Sequence, residues 1–121
     1  MKIMVTGGSG FIGTNFVIEQ LRHTNNIILN YDKLTYASNK YKGGDLVSYN
    51  TRDNDKYSFV RGDITNGDTL RDTIETFKPD AIINFAAESH VDNSIENPDE
   101  FIQTNIVGRF MILQRALSYW E

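Results

Sequence analysis

Residues 5 to 13 read Val5-Thr6-Gly7-Gly8-Ser9-Gly10-Phe11-Ile12-Gly13, a glycine-rich turn between an apolar run and a helical pattern. Two spacings overlap in it, Gly7-x-x-Gly10-x-x-Gly13 and Gly8-x-Gly10-x-x-Gly13. The chemistry that needs such a turn is pyrophosphate binding. Glycine lets the backbone turn tightly and approach phosphate oxygens with no Cβ in the way. The amides that open the helix, those of Phe11 and Ile12 among them, then face the negative charge. Gly13 is expected to let the helix pack close to the sheet. Asp32 follows about twenty residues later, at the end of the next apolar run. A carboxylate there accepts hydrogen bonds from the adenosine ribose and repels a 2′-phosphate, which favours NAD over NADP.

A second polar group follows the fourth apolar run, in Phe85-Ala86-Ala87-Glu88-Ser89-His90-Val91-Asp92. Ala86 and Ala87 are small enough for a cofactor to lie against the backbone. Ser89 and His90 then project toward whatever binds beside it. Ser89, His90 and Asp92 do not make a hydrolytic triad, because neighbours in one short segment do not converge as nucleophile, base and orienter. Nothing else in the chain completes a metal ligand set around them. Asp63 and Ile64, after the third run, fall near the adenine, and Asp63 suits a turn equally well. Thr104 and Asn105 either face the cofactor or bond the preceding helical turn. Tyr36 and Lys40 match a Tyr-x-x-x-Lys spacing, but a catalytic pair needs a helix beside the nicotinamide. Tyr36 lies just after Asp32, at the adenosine end, so no catalytic residue is assigned in this chain.

These groups need a scaffold that brings strand ends to one edge. Residues 2–6 read as a short buried strand. A helix follows over about residues 11–23, with Ile12, Phe16, Val17 and Leu21 at helical spacing. Residues 27–31 form a second strand ended by Asp32, and residues 33–56 a long polar loop. Residues 57–60 are a third strand. A second helix begins after Thr65, which is expected to cap it with Asp68 three residues on. Leu70, Ile74 and Phe77 are its apolar stripe and Pro79 its stop. Residues 81–85 are a fourth strand, expected to be covered on both faces. Asn97, Pro98 and Glu100 open a last helix that runs to about residue 119. It is apolar on most sides, so one side lies on the sheet and another needs a partner. Right-handed crossovers turn this pattern into an α/β fold of Rossmann type. The expected strand order is 3-2-1-4, about half of a doubly wound parallel sheet with three main helices.

Composition narrows the function. The chain has 121 residues, room for one domain. A formal charge of −4 provides no basic footprint for nucleic acid. With no cysteine there is no disulfide framework and no thiolate site. No apolar run is long enough to span a membrane and no signal peptide opens the chain, so a soluble, cytoplasmic protein is expected.

Taken together, the chain resembles the nucleotide-sugar dehydratases of the extended short-chain dehydrogenase/reductase family. The resemblance is carried by Lys2 to Gly13, Asp32-Lys33-Leu34-Thr35-Tyr36-Ala37, Lys78-Pro79-Asp80, Phe85 to Asp92 with Ser94-Ile95, and Thr104-Asn105-Ile106-Val107-Gly108. It implies that Ile12 and Gly13 sit on the pyrophosphate, that Asp32, Lys33, Leu34 and Thr35 hold the ribose, and that Asp63 and Ile64 flank the adenine. It further implies that Ala86, Ala87, Glu88 and Ser89 line the cofactor, that Ser89 and His90 meet the sugar, and that Thr104 contacts the cofactor. The family's reaction oxidises C4 of the hexose with NAD, eliminates water across C5 and C6, and reduces C6. Its members are usually homodimers, paired through the helix corresponding to residues 98–119 and a later one. Ser38, Asn93 and Arg109-Phe110 depart from the usual Gly, Arg and Thr-Tyr, and residues 40–55 form a longer loop than is common. The family's Tyr-x-x-x-Lys and Thr-Asp-Glu groups and its sugar-nucleotide domain belong to later sequence. The 121 residues are therefore expected to be the N-terminal part of the cofactor domain, inactive alone. The glycine loop by itself fits 4-epimerases and other sugar-nucleotide enzymes equally well, or a stand-alone NAD-binding module.

Overall fold

The computed structural model describes residues 1–33, 55–86, 99 and 102–121. Strand β1 (Lys2–Thr6) leads into helix α1 (Phe11–His23), strand β2 (Ile27–Asp32) and strand β3 (Tyr57–Arg61). Helix α2 (Gly67–Phe77), strand β4 (Ala81–Asn84), a π-helical segment (Gln103–Gly108) and helix α3 (Arg109–Trp120) complete the described elements. The four strands are parallel in the order β3-β2-β1-β4, as the crossover argument requires. Their carboxyl ends share one edge, and the β1–α1 turn sits over it.

Alternation along the strands assigns each side chain to a face. Ile3, Val5, Ile28 and Tyr57 pack with Val17 and Leu21 of α1 on one face. Met4, Leu29 and Tyr31 pack with Ile64, Leu70, Ile74 and Ile112 on the other. Helices on both faces explain why β1 and β2 are apolar at successive positions rather than alternately. Phe16 reaches Phe85 with ring centroids 5.5 Å apart, which ties α1 to the end of β4.

Lys56, just before β3, finishes α1. Its Nζ donates to the carbonyls of Leu21 (2.9 Å) and Thr24 (2.8 Å), which have no partner further along the helix. Lys56→Met keeps the stem and removes the charged donor. It is expected to lower stability by about 2 kcal/mol in urea unfolding, the range for hydrogen bonds to a charged group.

Three expectations change. The cap of α2 is Asn66, not Thr65: Asn66 Oδ1 accepts the Thr69 amide at 3.2 Å. Thr65 is diverted because both its amide and its hydroxyl donate to Asp63 Oδ1, at 2.9 and 2.8 Å. Strand β4 stops at Asn84, and Ala81, Ile82 and Ile83 are half-buried rather than covered on both faces. The last helix is not uniformly α. Its start at residues 97–98 lies outside the described residues, and Gln103–Gly108 winds as a π-helix before α3. That segment ends where Gly108 meets Ile64, whose Cδ1 would lie 2.4 Å from an added Cβ. The expected second apolar face is present: Ile102, Ile106, Phe110, Leu113, Leu117 and Trp120 are all exposed. Among the described residues no helix is long and apolar enough to cross a membrane.

Candidate functional site: a glycine turn at the strand ends

The turn after β1 is built from backbone and two β2 side chains. Gly7 takes φ of +74°, a conformation open to glycine, and its amide donates to the Tyr31 carbonyl at 2.9 Å. A Cβ on Gly7 would lie 2.4 Å from the Ala86 amide nitrogen, so β4's continuation presses on the turn. The Gly8 amide donates to Asn30 Oδ1 at 2.9 Å and the Ser9 amide to Asp32 Oδ2 at 2.8 Å. Gly10 donates to the Gly7 carbonyl at 3.3 Å and begins α1.

The glycines differ in how close their neighbours come. A Cβ on Gly13 would meet the Gly7 carbonyl oxygen at 2.4 Å and Gly8 Cα at 2.7 Å. Gly13 therefore brings α1 against the turn itself rather than against a strand, a correction to the expectation. A Cβ on Gly10 would meet nothing nearer than the Gly7 oxygen at 3.6 Å. Among the described residues no contact asks for glycine there.

This geometry fits a pyrophosphate. Helix α1 has no side-chain cap at Gly10 and no acidic residue in its first turn. Its dipole is thus left uncompensated by α1's own residues at the end where Phe11, Ile12 and Gly13 present their amides. Ile12 is exposed beside the turn. The amides of Gly8 and Ser9 are used to hold the turn, so the first-turn amides of α1 are the ones suited to an anion.

Asp32, buried at the end of β2, joins the two halves of the motif through its bond to Ser9. Lys33 follows and pairs with Asp63 at 3.4 Å. Burial pushes the Asp63 carboxyl up, but the Thr65 amide and hydroxyl and then Lys33 more than offset it, leaving its pKa lowered. Asp63 is thus both a turn residue and part of the edge beside Asp32. Tyr31, beneath them, donates its hydroxyl to the Asp63 carbonyl at 2.9 Å, and burial pushes its pKa up to about 12. Ile64 carries its side chain into the core rather than to the edge.

At β4, Asn84 Oδ1 accepts the Thr6 hydroxyl (2.7 Å) and the Ala86 amide (2.9 Å), which sets Ala86 against Gly7. The edge thus gathers Gly7, Gly10, Ile12, Gly13, Asp32, Lys33, Asp63 and Ala86. Phe11 opens α1, and Thr104 lies in the π-helical segment. Leu34, Thr35, Ala87, Glu88, Ser89 and His90 lie outside the described residues. Asn30 and Asn84 belong to no motif in the sequence. Asn30 was detectable as a polar residue two before Asp32, hence on the same strand face and toward the turn.

A parallel sheet with this turn over its carboxyl edge and an acid closing the second strand defines a dinucleotide-binding fold of Rossmann type. The chain belongs to the GDP-mannose 4,6-dehydratase family, whose model matches residues 4–121. It is 42% identical over 121 residues to a dTDP-glucose 4,6-dehydratase of Haemophilus influenzae, covering 100% of this chain and 34% of that protein. It is 45% identical over 120 residues to one of Neisseria meningitidis, covering 99% and 32%. The chain thus spans about a third of the length of these curated relatives. Among solved structures, the dTDP-glucose 4,6-dehydratase of Streptomyces venezuelae with NAD bound superposes with a TM-score of 0.84 at 36% identity, covering 98% of this chain and 36% of that one. A UDP-Glc/GlcNAc 4-epimerase of Campylobacter jejuni superposes with a TM-score of 0.79 at 29% identity, covering 98% and 34%.

Proposed function

We propose that this chain is the NAD-binding portion of a nucleotide-sugar dehydratase acting on dTDP-glucose in the cytoplasm. The observation that carries the reading is the turn held between β1 and Asp32, with an uncapped α1 behind it and an open Gly10. In this reading the first-turn amides of α1 receive the pyrophosphate, and Asp32 meets the ribose with Lys33, Leu34 and Thr35. Asp63 and the backbone of Ile64 border the adenine, and Ala86, Ala87, Glu88, Ser89 and Thr104 border the rest of the cofactor. Ser89 and His90 face the sugar. When bound, NAD supplies the redox couple that takes two electrons from C4 and returns them at C6. The complete enzyme thereby converts dTDP-glucose to dTDP-4-keto-6-deoxyglucose with loss of water across C5 and C6. Lowering of a tyrosine pKa by a lysine, and proton transfer at C5 and C6, fall to residues outside these 121. The exposed face of α3 pairs two copies.

Support for a dehydratase over a 4-epimerase comes from the higher identity to the solved dehydratase, 36% against 29%. Titration of the purified chain with NAD by calorimetry tests the reading. Saturable binding is expected, with no formation of the 4-keto sugar from dTDP-glucose. A folded chain with no affinity for NAD would sink the cofactor assignment, and turnover by the chain alone would sink the division of labour.

A further inference from the structure

Asn30 is fully buried in the middle of β2, where strands covered on both faces ordinarily carry apolar residues. A buried amide is costly unless its donors and acceptor are engaged. Here they are. Its Oδ1 accepts the Gly8 amide at 2.9 Å, and its Nδ2 donates to Ser9 Oγ at 2.9 Å and to the Tyr57 hydroxyl at 3.1 Å. Tyr57 starts β3, and its ring is packed in the core beside Ile28 and Val17. A single side chain therefore spans from the outer strand of the sheet to two successive residues of the glycine turn. Asp32, two residues on and on the same face, holds the Ser9 amide.

We propose that Asn30, braced by Tyr57, is a positioning residue for the cofactor. It fixes the turn from below, so that the first-turn amides of α1 meet a pyrophosphate without rearrangement. This rests on the NAD reading above. Preorganisation of this kind acts on affinity by removing the ordering that binding would otherwise require. It acts through the turn, so it bears on the pyrophosphate and not on the adenosine, which is left to Asp32 and Asp63. An apolar residue at position 30 would leave the Gly8 amide unanswered and the turn free to shift.

The test compares ADP with adenosine on the full chain, by calorimetry and ligand-observed NMR, with urea unfolding alongside. Asn30→Val is expected to weaken ADP binding by about tenfold or more, the scale for stranding a buried hydrogen-bonding group. Adenosine affinity is expected to stay within about twofold. Tyr57→Phe keeps the ring and both turn bonds but removes the brace. It is expected to weaken ADP by about threefold, again sparing adenosine. If Asn30→Val does not fold, Tyr57→Phe decides alone. ADP affinity unchanged in the folded variants overturns the proposal, as does an equal loss for ADP and adenosine, which would mark a purely structural role. A wild-type chain that binds neither ADP nor NAD overturns the cofactor reading itself, an outcome seen before any variant is made.

Discussion

Gly7→Ala is expected to cost about 2–5 kcal/mol in urea unfolding, while Gly10→Ala leaves the stability within about 0.5 kcal/mol of the parent. The two glycines are three residues apart in one turn, and pattern alone treats them alike. At Gly7, φ of +74° charges any L-residue about 1–2 kcal/mol for the left-handed conformation. The added Cβ would also fall 2.4 Å from the Ala86 nitrogen and 2.6 Å from its Cα. Both are backbone atoms on the continuation of β4, so the strand end must move, at about 1–3 kcal/mol for overpacking. Against a typical total of about 5–15 kcal/mol this is a large share. At Gly10, φ of −76° and ψ of 180° suit any residue, and among the described residues a new Cβ would meet only the Gly7 oxygen at 3.6 Å. The poorer capping of alanine and its lower unfolded-state entropy roughly cancel. Gly10→Ala should instead reduce NAD affinity, because the space it fills is where the pyrophosphate is proposed to lie. Equal destabilisation by the two changes would contradict the described turn.

The pairing through α3 proposed above is expected to be lost in the double variant Leu113→Lys with Leu117→Lys. Ile102, Ile106, Phe110, Leu113, Leu117 and Trp120 recur every three or four residues and form one stripe along the last helix. Leu113 is 71% exposed and Leu117 63%. A continuous apolar stripe of this kind marks a surface that another surface covers. In a two-fold pairing each change is made twice. At about 1.5 kcal/mol per leucine removed from the interface, association weakens by about 10⁴-fold. Lysine is a good helix former, so the fold should not suffer. Sedimentation velocity across a range of concentrations reads the result. A parent chain that stays monomeric throughout would remove the basis for pairing through α3.

What was legible in the sequence, and what was not, follows from the range of each interaction. Strand order came from the handedness of crossovers, a rule that needs only the sequence of elements. The turn and Asp32 were visible because glycines and an acid at that spacing have few other uses. The cap of α2 was misplaced by one residue because Thr65 has two suitors. Asp63 outcompetes the helix for it, and nothing local in Thr65-Asn66-Gly67-Asp68 announces that. Gly13 is a close-packing residue, as its spacing predicts, but its neighbour is the turn and not the sheet. Asn30 sits in an apolar run, and hydropathy averages hide a single amide there. Its meaning appears only when Tyr57 and the turn are brought to it across the fold. The π-helical winding of Gln103–Gly108 has no sequence period distinct enough to read over six residues.

Lys56 also bears on what keeps Asp32 in place. Together with the β2–β3 ladder, from Ile28 opposite Tyr57 to Asp32 opposite Arg61, it pins both ends of the passage between those strands. The ends stay in register whatever joins them, and doubling the length of the join costs only about 0.6 kcal/mol in closure entropy. The held ends of β2 and β3, rather than the passage between them, therefore keep Asp32 and the turn in place.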